Sequence, residues 1–162
     1  MKKLLVFSIL MMTATLGFAI MQMDFGIGPS VPSIFKEFFG PVGVATNFQV
    51  SYYHSGSGLG GGFHVNTQWI LQTEMGGDFV WASQSNKGLW NIGVGATSAF
   101  FQQLLGFHVT TGYQWAFGNG RRRFALKPNI TFDFSLEDTP TVYWQAALFF
   151  SYSYNRAKTH GR

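Results

Sequence analysis

The chain has 162 residues, which is room for one domain of ordinary size. Only 11% of its residues are charged, against roughly 25% in an average soluble domain, whereas aromatic residues reach 18%. An extensive charged surface is therefore excluded, and the absence of cysteine excludes a disulfide framework and a thiolate metal site.

The first 19 residues have the pattern of an export signal. Two lysines follow the first methionine, residues 4–16 are apolar, and residues 17–19, Gly-Phe-Ala, form a small-x-small cleavage motif. We therefore predict a signal peptide over residues 1–19. A single membrane-spanning helix is the alternative, but the apolar stretch is shorter than the about 20 residues that a span needs. Removal of the signal would lower the formal net charge from +4 to about +2.

Two-residue alternation of apolar and polar side chains recurs along the rest of the chain, which is the period of a strand with two unlike faces. Most of the alternating segments are 9 to 13 residues long, close to the roughly 9–11 residues with which a tilted strand crosses hydrocarbon. The eight segments are residues 21–28, 42–52, 59–71, 75–82, 90–100, 105–117, 123–134 and 142–154. Between the signal and the C-terminus no apolar run is long enough for a transmembrane helix.

The connections between the segments are rich in turn-forming residues. Clear examples are residues 54–58, 83–88, 118–120 and 136–140. Residues 30–40 differ, because they have a candidate N-cap at Ser30, an early proline, apolar residues at helical spacing and a closing glycine. We predict a short amphipathic helix in this first loop.

The predicted fold class is all-β: a closed up-and-down antiparallel transmembrane β-barrel of about eight strands. Closure leaves no unpaired strand edge, which hydrocarbon requires because it offers backbone groups no water. The barrel is predicted over residues 20–155 and is followed by a basic tail over residues 156–162.

The polar face of the segments decides between a membrane barrel and a soluble, lipocalin-like barrel with an apolar interior. It carries mostly Gly, Ala, Ser, Thr, Asn and Gln, too little charge for a water-exposed coat but well suited to a narrow lumen. The predicted lumen network consists of Asp24, His64, Asn66, Gln68, Asp78, His108, Gln114, Lys127, Asn129, Asp133 and Gln145. We expect Lys127 to pair with Asp24 or Asp133, because an unpaired buried charge is costly, and we expect no pore of porin size.

Aromatic residues concentrate on the apolar face, many of them near segment ends, where amphipathic rings sit at the level of lipid headgroups. The predicted membrane-interface aromatics are Tyr52, Trp69, Trp81, Trp90, Tyr113, Trp115, Trp144, Tyr152 and Tyr154.

Basic and acidic residues are predicted to lie at opposite ends of the barrel. If both termini are periplasmic, the periplasmic rim carries the basic residues Lys87, Arg121, Arg122, Arg156, Lys158 and Arg162. The opposite loops carry Lys36, Glu37, Glu74, Glu137 and Asp138. One rim is thus predicted to be basic and the other mildly acidic.

The pattern over roughly residues 20–155 resembles that of the small outer-membrane β-barrels of the OmpA and OmpX size class. The resemblance implies residence in the cell outer membrane, contact with membrane lipids and handling by the outer-membrane insertion machinery. That machinery reads a terminal aromatic residue in many members, whereas Tyr154 is followed by a basic tail. Phe150, Tyr152 and Tyr154 would then have to form the signal internally. Outer connections beyond the first loop are short, which disfavours an adhesin.

A search for chemistry gives only weak candidates. His64 and His108 share the polar face with aspartates and could support acid–base catalysis, but a filled lumen must satisfy its polar atoms, which favours a structural role. The His-x-Ser pair of eight-stranded lipid A deacylases is absent, and no outer-loop histidine is present for a palmitoyltransferase. We expect no catalytic residue, no cofactor and no metal site.

Residues 121–123 are three arginines clustered in one predicted turn, without a basic face, so no nucleic-acid binding is expected. The sequence therefore favours a non-enzymatic outer-membrane barrel with a structural or interaction role in the cell envelope. A lipid-modifying outer-membrane enzyme and a soluble periplasmic barrel that binds a small apolar ligand are the alternatives. The sequence does not indicate a protein partner.

Overall fold

The computed structural model describes residues 19–32, 42–68, 72–83, 87–99, 104–118, 120–136 and 142–156. They contain eight strands: β1 (Ala19–Pro32), β2 (Gly43–His54), β3 (Leu59–Gln68), β4 (Gln72–Ala82), β5 (Gly88–Ala99), β6 (Leu104–Phe117), β7 (Arg122–Ser135) and β8 (Val142–Arg156). Every strand pairs antiparallel with its neighbours in chain order, and β1 also pairs with β8. The predicted closed up-and-down barrel of eight strands is thereby confirmed. The described segments contain no helix long and apolar enough to span a bilayer.

Burial alternates with a period of two along the strands because successive side chains of a strand point to opposite faces. In β7, for example, Lys127 and Asn129 are buried inside the barrel, whereas Phe124 and Ile130 are exposed outside it. The buried positions are mostly polar, and the exposed positions are mostly large and apolar. The wall therefore has the opposite polarity to that of a soluble barrel.

The barrel has a turn end, where β1 begins and β8 ends, and a loop end, where β1 ends and β8 begins. Tight connections close the turn end. The amide of Gly58 donates to the carbonyl of His54 at 2.8 Å, and Gly58 has a φ of 72°, which favours glycine. The interior at this end is filled by an apolar cluster of Ile20, Tyr53, Val80, Ala82 and Leu89.

Glycines let neighbouring strands approach closely in the wall formed by β2 to β5. Gly76 and Gly95 face each other across β4 and β5, and a β-carbon on Gly95 would lie 2.5 Å from the α-carbon of Gly76. A β-carbon on Gly60 would lie 2.5 Å from the α-carbon of Tyr53. The glycine-rich segment at residues 60–62 thus lets the neighbouring backbone approach closely, as glycines within strands often do.

The predicted first-loop helix is wrong at its start. Ser30, Val31 and Pro32 belong to β1 and pair with residues 145–147 of β8, because closing the barrel gives their backbone groups strand partners. Residues 33–41, the rest of the predicted helix, lie outside the described residues, as do residues 1–18 and 157–162.

Candidate functional site

All eleven residues of the predicted lumen network lie inside the barrel, and none is more than 7% exposed. Six of the eight strands contribute them, always at inward-facing alternate positions, so that they converge on one narrow interior. Nine of them form hydrogen bonds with other side chains in the lumen. Both amide atoms of Gln68 and the Oε1 of Gln145 have no hydrogen-bond partner among the described residues.

A closed ring of hydrogen-bonded side chains, which we call the central ring, crosses the lumen and joins six strands, β2 to β7. In order around the ring its members are Lys127, Asn47, Asn66, Glu74, Gln72, Asp133, Thr97, His108, His64, Asp78 and Gln49, which closes back on Lys127. Because the ring is closed, every member is hydrogen-bonded to two other members. The lumen is therefore cross-linked through its own polar groups.

Lys127 is held by amides rather than by a carboxylate. Its Nζ donates to Oδ1 of Asn47 at 3.2 Å and to Oε1 of Gln49. Among the described residues it forms no ion pair with Asp24 or Asp133, so the predicted direct pairing is wrong. The barrel stagger sets Lys127 level with the β2 amides, and each of the two aspartates is occupied by other donors.

Amide and hydroxyl donors hold the buried carboxylates of the ring. Asp133 accepts from Nε2 of Gln72 at 2.9 Å and from Oγ1 of Thr97 at 2.6 Å. Glu74 accepts from Nδ2 of Asn66 at 3.1 Å and from Gln72 at 3.3 Å. Such donors lower the cost of burying a carboxylate without burying a second charge.

Two smaller clusters fill the lumen beside the central ring. Towards the turn end, Asp24 accepts from Nε2 of Gln22 at 3.0 Å and from Nε2 of Gln114 at 2.9 Å. Tyr53 extends this cluster by donating to Oε1 of Gln22 at 3.1 Å. On the β6 and β7 wall, Asn129 bonds Thr110 and Thr131.

The prediction that Glu74 lies in an outer loop is wrong, because β4 begins at Gln72 and turns Glu74 into the lumen. Residues on the same inward parity were also missed in the predicted network: Gln22, Asn47, Gln49, Tyr53, Gln72, Asn91, Thr97, Thr110, Thr131 and Asn155. Most of them lie on the predicted polar face of the segments, and the two-residue period extended past the segment ends also places Tyr53, Gln72 and Asn155 inside.

A chain of four hydrogen bonds runs through both lumen histidines. Nδ1 of His64 lies 3.1 Å from Asp78, Nε2 of His64 lies 2.8 Å from Nε2 of His108, and Nδ1 of His108 lies 3.1 Å from Oγ1 of Thr97. Thr97 in turn donates to Asp133. Four bonds need four protons, whereas two neutral imidazoles and one hydroxyl supply three. The complete chain therefore holds one additional proton.

One ring nitrogen of His64 faces the Asp78 carboxylate and the other faces the His108 imidazole. A proton on either ring, on Asp78 or on Asp133 would complete all four bonds, so every lumen ring nitrogen in the chain has a partner. This arrangement leaves neither imidazole free to act on a substrate and fits a structural role.

The outer wall carries the predicted interface aromatics. Tyr52, Trp81, Trp115, Trp144 and Tyr152 are exposed, and Trp90, Tyr113 and Tyr154 are half-buried. Trp69 lies outside the described residues, as do Lys158 and Arg162 of the predicted basic rim. The other members of that rim, Lys87, Arg121, Arg122 and Arg156, are exposed at the turn end.

No protein-family model matches this chain, and no curated protein matches it significantly. In the described part of the chain, no group of three or more His, Asp or Glu side chains is arranged to hold a metal ion. The function must therefore be inferred from the geometry of the wall and the lumen.

We expect Gly93→Ala to destabilise the barrel by about 1–3 kcal/mol, because an added methyl group overpacks the lumen. The new β-carbon would overlap Oδ1 of Asp78 and lie 2.8 Å from Cε1 of His64. Gly77→Ala on the outer face is the matched control, since the nearest atom to its β-carbon would be 3.9 Å away. Urea unfolding of the refolded barrel measures both. Equal effects would show that space around the Asp78 and His64 pair is not limiting.

We expect ¹⁵N NMR of the refolded barrel to show a hydrogen bond between the Nε2 atoms of His64 and His108, which lie 2.8 Å apart. His54 is an internal reference, because its Nδ1 accepts from the amides of Gly56 and Ser57 at 3.1 and 3.2 Å. In Thr97→Val the bond between Nδ1 of His108 and Oγ1 is lost, so the Nδ1 signal of His108 should shift whereas that of His54 should not. Lumen rings without a hydrogen bond between them in the unmodified barrel would contradict the four-bond chain.

Proposed function

We propose that this protein is a non-enzymatic integral β-barrel of the bacterial outer membrane with a structural or interaction role in the cell envelope. One observation carries the proposal: the polarity of the barrel is inverted, with polar side chains buried in the lumen and large apolar side chains on the outer wall. In water this arrangement would expose far more contiguous apolar surface than a soluble monomer tolerates. In hydrocarbon the same surface carries no such cost.

The apolar wall extends around the whole barrel. Each strand presents at least one large apolar side chain that is more than a third exposed: Phe25, Phe48, Phe63, Phe79, Val94, Phe107, Ile130 and Phe150. The strands are 10 to 15 residues long, enough for a tilted strand to cross the hydrocarbon region. A band that is apolar on every strand fits a lipid bilayer better than a one-sided protein interface.

Charge is distributed as a membrane-spanning wall requires. Every described charged side chain that is exposed, namely Lys87, Arg121, Arg122 and Arg156, lies at the turn end. The middle of the described outer wall carries none, and the described carboxylates are all buried in the lumen. Because a charge facing lipid at mid-strand costs several kcal/mol, this distribution supports a bilayer around the wall.

The outer membrane is the proposed location because the sequence begins with the pattern of an export signal and the barrel resembles small outer-membrane barrels. Membrane lipids and the insertion machinery are the proposed partners. A soluble lipocalin-like barrel would need an apolar interior, which the amides and carboxylates of the central ring oppose. A lipid-modifying enzyme would need reactive groups facing lipid, whereas His64 and His108 bond each other inside.

Fractionation of expressing cells tests the location. We expect the protein in the outer-membrane fraction after a carbonate wash, with faster gel migration before heating than after it, because a closed barrel resists unfolding by detergent. Recovery in the wash, with the barrel still folded, would contradict membrane insertion.

A charge on the outer wall tests the inverted polarity directly. Val94 is 59% exposed at mid-strand. Val94→Arg should lower the free energy of unfolding in lipid vesicles by about 2–4 kcal/mol, because the side chain at this position faces hydrocarbon. Thr97→Ser on the lumen face of the same strand keeps the hydroxyl that bonds Asp133, so it should lower the free energy of unfolding far less. Urea unfolding of vesicle-inserted barrels gives both values, and equal values would argue against a two-faced wall in lipid.

A further inference from the structure

A groove of about 410 Å³ lies on the outer wall at the turn end and is lined by Trp81, Ser83, Trp90 and Tyr113. The three aromatic residues form a row across β4, β5 and β6, since Trp81 is directly opposite Trp90 and Trp90 is directly opposite Tyr113. The Tyr113 ring also contacts Trp115 edge to face, with 4.7 Å between ring centroids. This surface is apolar but is not a smooth part of the wall.

Polar groups border the groove on the side of the turn. The Tyr113 hydroxyl lies against Gly88, where a β-carbon would be 2.9 Å from Cζ of the tyrosine. The amide of Gly88 donates to Oγ of Ser83 at 3.0 Å, and the carbonyl of Lys87 accepts from the amide of Ala116 at 2.6 Å. These bonds fix the β4 to β5 turn against β6. The groove therefore has an apolar floor and a polar rim in fixed positions.

The charge at this rim has one sign. Lys87 is exposed directly before Gly88, and Arg121 and Arg122 are exposed on the next turn. No carboxylate is exposed among the described residues, so nothing in that part of the chain neutralises these cations. An occupant that combines an apolar chain with an anion would complement both parts of the groove.

We propose that this groove binds one anionic glycerophospholipid from the leaflet at the turn end, an inference that rests on the proposed membrane location. An acyl chain lies along Trp81, Trp90 and Tyr113, and the phosphate lies beside the Lys87 ammonium. A zwitterionic lipid would bring its own cation to the same rim and gain less. The site thus selects for net negative headgroup charge rather than for phospholipid in general.

Tryptophan quenching in vesicles tests the site. The barrel is prepared in a Trp90 form, which keeps both groove tryptophans, Trp81 and Trp90, and in a Trp144 form, in which Trp144 is the single tryptophan. Phenylalanine replaces the other tryptophans in each form. Each form is inserted in phosphatidylcholine vesicles that contain equal fractions of brominated phosphatidylglycerol or brominated phosphatidylcholine. We expect the anionic lipid to associate with the groove of the Trp90 form about five-fold more strongly, the factor that corresponds to about 1 kcal/mol per basic side chain. Trp144, near the loop end, should show no preference.

Variants that each remove one cation distinguish a specific lipid site from general attraction of anionic lipids to the basic rim. Lys87→Gln in the Trp90 form should bring the ratio of quenching by anionic lipid to quenching by zwitterionic lipid close to one. Arg156→Gln, which removes a cation from β8 at the same rim, should leave this ratio unchanged. Equal quenching of the Trp90 form by the two lipids, or equal effects of the two variants, would overturn the lipid site while the barrel remains inserted. Absence of quenching of both forms by both lipids would instead overturn the proposed membrane location.

Discussion

The pairing of β1 with β8 is the contact on which the rest of the structure depends. It runs from Met21 opposite Arg156 to Pro32 opposite Gln145 and removes both free edges of the sheet. Once the sheet is closed with eight strands, its interior has room only for side chains. Polar groups inside are shielded from bulk water, and most of them bond one another through the central ring and the two smaller clusters, with Gln68 among the exceptions. Closure therefore dictates a polar network inside and leaves the apolar faces outside.

Glycine makes room for that network. Gly93 lies on the inward face beside Asp78 and His64, and a β-carbon on Gly112 would lie 2.7 Å from Oδ1 of Asn129. The same residue type has another role within the wall, where Gly76 and Gly95 let β4 and β5 approach closely. The high glycine content is thus a packing requirement of a narrow barrel with long polar side chains in its lumen, rather than a sign of a flexible chain.

Much of the fold follows from local patterns in the sequence, because a two-residue period identifies strands and assigns their faces without knowledge of their neighbours. The partners of Lys127 could not be predicted in this way, since the stagger of a barrel decides which side chains are level. Glu74 was misplaced for a different reason: its position at a strand end looks like loop sequence unless the inward parity of Gly76 and Asp78 is carried back past the apparent end. The apolar cluster at the turn end was missed because Ile20 and Leu89 are inward residues that look like lipid-facing ones.

The alternation of faces leaves one ambiguity that the central ring resolves. A slip of one residue between two strands exchanges inside and outside and is strongly disfavoured, but a slip of two residues keeps every apolar side chain outside. Such a slip would move Asp133 away from its donors Gln72 and Thr97, or Lys127 away from its acceptors Asn47 and Gln49, and would leave a buried ionisable group without hydrogen-bond partners. Because the ring joins six strands, each of those strands has at least one ring link that a two-residue shift would break. The hydrophobic pattern therefore selects the barrel, whereas the buried polar ring selects one stagger among those that the pattern permits.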